Sequence, residues 1–445
     1  MTPDASRDPV TLAFDLGTTY LKAVAFDAEE SIVDLARVPM VYDRPEPERF
    51  ELPLERFHAM LHEALDQLKV DRARIARVAF STQANTFACF DDCDRPLTPL
   101  ILWHDQRADA AMLEPLAALP GFTRRTGLPC ASPQFMSAKA RWLQRFHPEL
   151  WPRVHRLRFI GDELAFHFTG QHVTEPGYAA LSGLLDVHRC DWWPEACHAV
   201  GLAPDMLGRV VRAGADLGPI TDHAAAGLGL PRSCRVFMGC LDQYAGAIGL
   251  GNTQPGSVSA TLGTVLATIR STSSPDAPAE VYTGPAWVRD RFFQMVFSQT
   301  GAGLLEHYRG TLPDRPDFES LDRLAGDAAL PDDLIIEPVH GGASLEQSFA
   351  GVRPHHSPGQ VTLAIYHCVA RTLREQLTTL CGDDRPSDIK LAGGGARSET
   401  WRAILSEHAG CPIVPAPHHE PTALGAARLP TLHVTSTDAH AEPAQ

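Results

Sequence analysis

The chain has 445 residues, 44% of them hydrophobic and 21% charged, so it can bury sizeable cores and is too long for one comfortable domain. A formal charge of -15, with no run of lysine or arginine, argues against a nucleic-acid-binding surface and suits a protein of small molecules. Ten cysteines stand singly without a CxxC pair and read as reduced thiols, and no stretch reaches the apolar length a membrane crossing needs. The opening MTPDASRDP has no signal-peptide pattern, so the expectation is a cytoplasmic protein.

In chain order, β-type runs at 10–14 and 21–26 flank the turn DLGTT and predict a hairpin. Its glycine, hydroxyls and clustered backbone N–H groups can cradle phosphate oxygens, with Lys22 supplying charge beside them. An ordinary tight turn with an exposed lysine would read the same way. Leu54, Phe57, Leu61, Leu65 and Leu68 recur at helical spacing and predict an amphipathic helix over 54–70. A strand at 78–80 then delivers the polar cluster 81–86 at its C-terminal end, where open α/β sheets hold ligands. Trp103, His104, Asp105, Gln106 and Arg107 follow, an aromatic face with an acid and a forked cation that can meet a sugar; a surface loop with an internal ion pair is the alternative. Trp142, Trp151, Trp192 and Trp193 read as packing residues.

The segment 235–270 joins a short strand, a turn carrying Asp242, a small-residue helix and a second hairpin whose turn is Leu262, Gly263 and Thr264. Leu16–Gly17–Thr18 and Leu262–Gly263–Thr264 each sit between β-type runs, as two related domains sharing one cleft would arrange them. A further turn is expected at Gly341 and Gly342, and a helix of about twenty residues over 361–380. A strand at 389–392, the glycines 393–395 and a helix starting near Ser398 let a flat ring or phosphate approach the backbone. Residues 431–445 are expected to form a disordered tail.

These motifs, in this order, resemble the FGGY family of carbohydrate kinases: DLGTTYLKAVAFD, STQANTF with LWHDQRA, GCLDQYAGAIGLGN, SATLGTV, and LAGGGARSETWRAILSEHAGCPI with PTALGAA. The resemblance implies an α/β fold of two actin-like, ribonuclease-H-like domains around a central cleft. The sugar would lie mostly on 1–250 and ATP mostly on 251–430. It implies Asp242 as general base and Asp15 as the acid holding the magnesium of MgATP. Gly17, Thr18, Thr19 and Lys22 match the first phosphate loop and Gly263 and Thr264 the second, while Gly394, Gly395 and Ala396 match the adenosine turn. The matching glycerol-type members carry arginine and glutamate where Ala84 and Asn85 stand, and xylulose-type members a histidine at Asn85. The expected substrate is thus a ketose or polyol longer than glycerol, pentulose-like, contacted by Gln83, Asn85, Trp103, Asp105, Arg107 and Gln243. A homodimer is a family-level expectation, and Pro430 departs from the family by interrupting what is usually a further helix. A silent sugar or nucleotide sensor and a chaperone-like ATPase of the same superfamily are the competing readings.

Overall fold

The computed structural model describes residues 8–339 and 344–438. The turn expected at Gly341 and Gly342, and the tail residues 439–445, lie outside the described residues.

The principal strands are β1 (Val10–Leu16), β2 (Tyr20–Phe26), β3 (Ile32–Pro39), β4 (Ile75–Thr82), β5 (Asp216–Pro219), β6 (Arg235–Phe237) and β7 (Cys240–Leu241), all in one sheet. A second sheet holds β8 (Val258–Leu262), β9 (Leu266–Thr272), β10 (Tyr282–Pro285), β11 (Phe292–Ser298), β12 (Ile389–Ala392) and β13 (Ile413–Pro415). The helices that position the site are α1 (Leu54–Gln67), α2 (Met136–Phe146), α3 (Asp242–Gly249), α4 (Gly303–Thr311), α5 (Pro358–Cys381), α6 (Glu399–Ala409) and α7 (Pro421–Asp438).

The two sheets repeat one plan. β1, β2 and β3 form an antiparallel meander, with β4 parallel to β1 and β6 parallel to β4. In the second sheet β8, β9 and β11 form the meander, with β12 parallel to β8 and β13 parallel to β12. The match between the two glycine–threonine hairpins thus extends through five strands on each side. It is the ribonuclease-H-like order expected of an actin-like pair.

The period of two along a strand decides what each face of the first sheet does. Leu12 and Phe14 point into the main core with Phe57, Leu61 and Leu65 of α1. Ala13, Val24 and Phe26 face the other way, against Ala423, Leu424 and Ala426 of α7. The last helix therefore packs on the first sheet. Sequence made 431–445 an irregular tail and Pro430 a stop; instead Pro430 sits inside α7, which runs to Asp438. An internal proline costs about 3 kcal/mol, and full burial of Leu424 and Leu429 returns about 3–6 kcal/mol, so packing wins.

α3 and α7 cross backbone to backbone. A methyl group added at Gly249 would lie 1.8 Å from the Pro421 carbonyl oxygen, and one at Gly425 1.8 Å from that of Ala245. Glycine is required at both positions, which is how a chain end docks beside the helix carrying Asp242. Arg428 of α7 fastens this crossing by donating to the carbonyls of Ile248 and Gly249 at the end of α3.

Candidate active site

Strand register builds the first half of the site. Asp15 pairs with Lys22 across the β1–β2 hairpin, Lys22 with Arg37 across β2–β3, and Asp15 with Ser81 across β1–β4. Directly opposed residues share a face, so an acid, two cations and a hydroxyl stand together beside the start of α7. Ser81 donates to Asp15 Oδ1 at 2.8 Å, and the Lys22 ammonium lies 3.3 Å from Asp15 Oδ2 and 2.7 Å from Glu420 Oε2. Arg37 completes the cluster on Glu420 Oε1. Burial raises the Asp15 carboxyl above the usual carboxylate range, outweighing Lys22 and Ser81. Burial works against the Lys22 charge too, but Asp15 and Glu420 more than offset it and the ammonium is raised.

β7 runs parallel to β4, with Cys240 beside Ser81 and Leu241 beside Thr82, and it delivers Asp242 as the first residue of α3. A carboxylate at a helix N-terminus faces unsatisfied N–H groups, and Asp242 Oδ1 accepts the Gln243 N–H at 2.7 Å. Enclosure by the surrounding protein, then the charge of Asp15, push the Asp242 carboxyl up to about 7. Asp242 is half-buried rather than sealed from solvent. Gln243 is exposed.

The remaining sugar-side residues divide by how they are bonded. Gln83 is 4% exposed and both its amide atoms lack a protein partner, so it carries buried hydrogen-bonding capacity. Asn85 adopts φ 60° and uses its carboxamide on the backbone, donating to Leu181 and accepting from the Met136 N–H, both at 2.9 Å. Asp105 and Arg107 grip each other, Nε at 2.7 Å and Nη2 at 2.8 Å, while Arg107 also binds Glu51 and Asp105 accepts the Phe50 N–H. Both are buried, so this pair stiffens the loop. Trp103 reaches across to the phosphate turn, its indole donating to the Thr18 hydroxyl at 3.2 Å, and Tyr42 holds the Thr18 carbonyl. The structure therefore brings Asp15, Thr18, Lys22, Trp103 and Asp242 onto one end of the first sheet.

In the second sheet the turn 263–265 is braced by the segment before α4. Ala302 donates to the Gly263 carbonyl at 2.7 Å and Gly303 to that of Thr264 at 3.1 Å. A methyl group on Gly301 would lie 2.6 Å from Thr264 O, so a glycine is needed there. Sequence reasoning passed over this TGAG segment, whose paired glycines ahead of a helix were the available signal. Gly393, at φ +96°, brings the chain against Leu262, and Gly395 lies against the Leu262 side chain. Gly394 has open space above it and Ala396 is buried. Sequence also missed Glu420, Arg37 and Lys139; a lone acid after His418–His419 and a lone lysine in a helix gave no pattern to read. Trp142 and Trp193 are buried in packing, as expected. A hollow of about 380 Å³ lined by Thr11, Phe26, Glu30 and Arg428 contains none of these site residues.

Paired ribonuclease-H-like halves, each presenting a glycine–threonine turn, define an actin-like architecture. Two family profiles match: the N-terminal domain of the FGGY family of carbohydrate kinases over residues 10–249, and its C-terminal domain over 341–432. Gluconokinase from Bacillus subtilis is 24% identical, covering 94% of this chain and 86% of its own length. L-fuculokinase from Salmonella typhi is 26% identical, covering 95% and 92%. The ligand-bound xylulose kinase from Lactobacillus acidophilus superposes with a TM-score of 0.85 at 20% identity, over 96% of this chain and 90% of that one. The chain belongs to the FGGY family of carbohydrate kinases. It is a phosphotransferase that uses ATP to phosphorylate a small sugar. Among the described residues no helix is long and apolar enough to cross a membrane.

Proposed function

We propose that this kinase phosphorylates a ketose or polyol longer than glycerol, pentulose-like in size, with Asp242 as general base. The observation carrying this reading is the Asp242 carboxyl, held at the start of α3, beside Asp15, with its affinity for a proton raised to about 7. A base is most useful when its own affinity lies near the working pH, and a partly open, largely enclosed carboxylate meets that condition. Asp242 takes the proton from the attacking hydroxyl as that oxygen closes on the γ-phosphorus of ATP. The Gly17–Thr19 turn with Lys22, and the Gly263–Thr264 turn, surround the transferring group with N–H donors and one cation. Gly394, Gly395 and Ala396 form the platform for adenosine.

Asp15 fits a divalent cation by its chemistry: it is a buried oxygen donor whose anionic charge is under-compensated, as its raised carboxyl records. It would hold magnesium, which supplies charge neutralisation on the β- and γ-phosphates. On the sugar side, Trp103 lends an apolar face, Gln83 lends its unpartnered amide and Gln243 an exposed one. Asn85, Asp105 and Arg107 support this surface from behind through the bonds described above. The relatives named for gluconate, xylulose and fuculose all take acceptors longer than glycerol, in keeping with this size class.

A coupled ADP-release screen against pentuloses, hexuloses, deoxyketoses and polyols tests the reading. The expected outcome is strongest turnover with a five- or six-carbon ketose and a loss of about 10²–10⁴-fold in Asp242→Ala. Full activity in that variant removes Asp242 from the base role, and preference for glycerol removes the size assignment.

A further inference from the structure

Lys139 stands in α2 and is fully buried. Its ammonium donates to three backbone carbonyls: Leu102 at 2.8 Å, Trp103 at 2.7 Å and Gln134 at 2.9 Å. An ammonium has three N–H donors, so the count of acceptors matches the charged form, whereas a neutral amine would leave one buried carbonyl unpaired. Two of the three carbonyls belong to the loop bearing Trp103. The Trp103 N–H is held by Thr86 Oγ1 at 3.0 Å, and its indole reaches Thr18. Asn85 ties the first residue of the same helix, so α2 is anchored to the sugar-side strand end as well.

We propose that Lys139 is a positioning residue for the sugar site, pinning the Trp103 backbone so that the indole stands between acceptor sugar and phosphate turn. The inference rests on the reading above that Trp103 touches the sugar. The groups facing Lys139 are Asp105, which favours its charge, Arg107, which opposes it, and the neighbouring His104. Burial, the larger influence, brings the ammonium down to about 7. A pin that loses its proton above neutrality loses one of its three bonds and loosens the loop.

Two measurements test this. First, steady-state kinetics with the best acceptor among xylulose, gluconate, fuculose and glycerol compare Trp103→Phe, Lys139→Met and the double variant. Both single variants are expected to raise the sugar KM about 10-fold and leave the MgATP KM within about 2-fold, with the double variant little worse than either. Second, calorimetric sugar binding is followed from pH 6 to 9 in Asp242→Asn, where the acid limb of the base is absent. The dissociation constant is expected to rise about 10-fold across pH 7 with Lys139 present and to stay flat in Lys139→Met. Lys139→Gln, with two N–H donors and no charge, supplies the same KM reading if Lys139→Met misfolds. If Trp103→Phe leaves the sugar KM unchanged, the sugar-site reading falls and this inference with it. If Trp103→Phe acts but the Lys139 variants leave the sugar KM unmoved, or the double variant adds the two effects, the inference alone is overturned.

Discussion

The two glycine–threonine turns share a frame and differ in chemistry. Each joins two antiparallel strands through three residues, 17–19 and 263–265, and each first strand has a parallel neighbour. Leu16 pairs with Leu21 and Leu262 with Leu266, so Asp15 and Lys22 correspond to Thr261 and Ala267. The first turn thus carries an acid–lysine pair, extended by Ser81, Arg37 and Glu420, where the second carries a hydroxyl and a methyl. The second is instead braced by backbone from the segment before α4. The same geometry occurs twice, and side chains put the charge on one copy only. The charged turn lies beside Asp242 and is suited to reacting groups; the neutral one is suited to holding phosphate through N–H groups.

The sharpest way to break this comparison is to remove the charge and its counterpart separately. Asp15→Asn should lower kcat/KM for MgATP by about 100-fold or more, because the cation site proposed at Asp15, worth several kcal/mol, would lose its carboxylate. Thr261→Ala, at an exposed side chain, should change it less than about 3-fold. Steady-state kinetics at fixed saturating sugar would measure both. Comparable losses would show that the two turns divide the work evenly.

Sequence gave away the frame because hairpins, parallel strands and glycine turns are local patterns. The strands at 10–14, 21–26 and 389–392 and the helix at 361–380 all form. What it could not give was anything set by the return of the chain. Glu420 lies 398 residues from Lys22, and no periodicity announces that contact. For the same reason Pro430 read as a stop, since a helix propensity cannot see Leu424 and Leu429 being buried. Asp105, Arg107 and Asn85 were readable as polar groups, but their bonds to one another and to the backbone of Leu181 and Met136 were not. Gln83, equally polar in sequence, keeps its amide free of protein partners.

A milder change sharpens the charged turn's internal logic. Lys22 is shared between Asp15 and Glu420, and Glu420 also neutralises Arg37. Glu420→Gln would leave Lys22 to Asp15 alone, tightening that pair against any cation competing for the carboxylate. The expected result is a rise of about 3–10-fold in the magnesium concentration giving half-maximal activity, with the sugar KM unmoved, as partly exposed charged hydrogen bonds of this strength allow. A magnesium titration reads it. An unchanged midpoint would mean that Glu420 serves only to dock α7.

A last effect concerns stability and separates the base role proposed for Asp242 from what its carboxyl costs the fold. Its carboxyl moves from 3.8 to about 7 on folding, because enclosure and Asp15 disfavour the anion. Between those values the folded chain holds a proton that the unfolded chain has released, so stability falls as pH rises through that window and stays lower above it. Asparagine does not titrate and escapes this loss. Asp242→Asn should therefore unfold at higher urea than the native protein at pH 8, by about 2 kcal/mol once water's access to part of the carboxylate is allowed for, with the advantage shrinking toward pH 4. No comparable gain is expected from Thr261→Asn in the neutral half, where no buried acid is replaced. A pH-independent difference would instead mean that Asp242 keeps an ordinary carboxylate affinity and acts on the sugar hydroxyl by position alone.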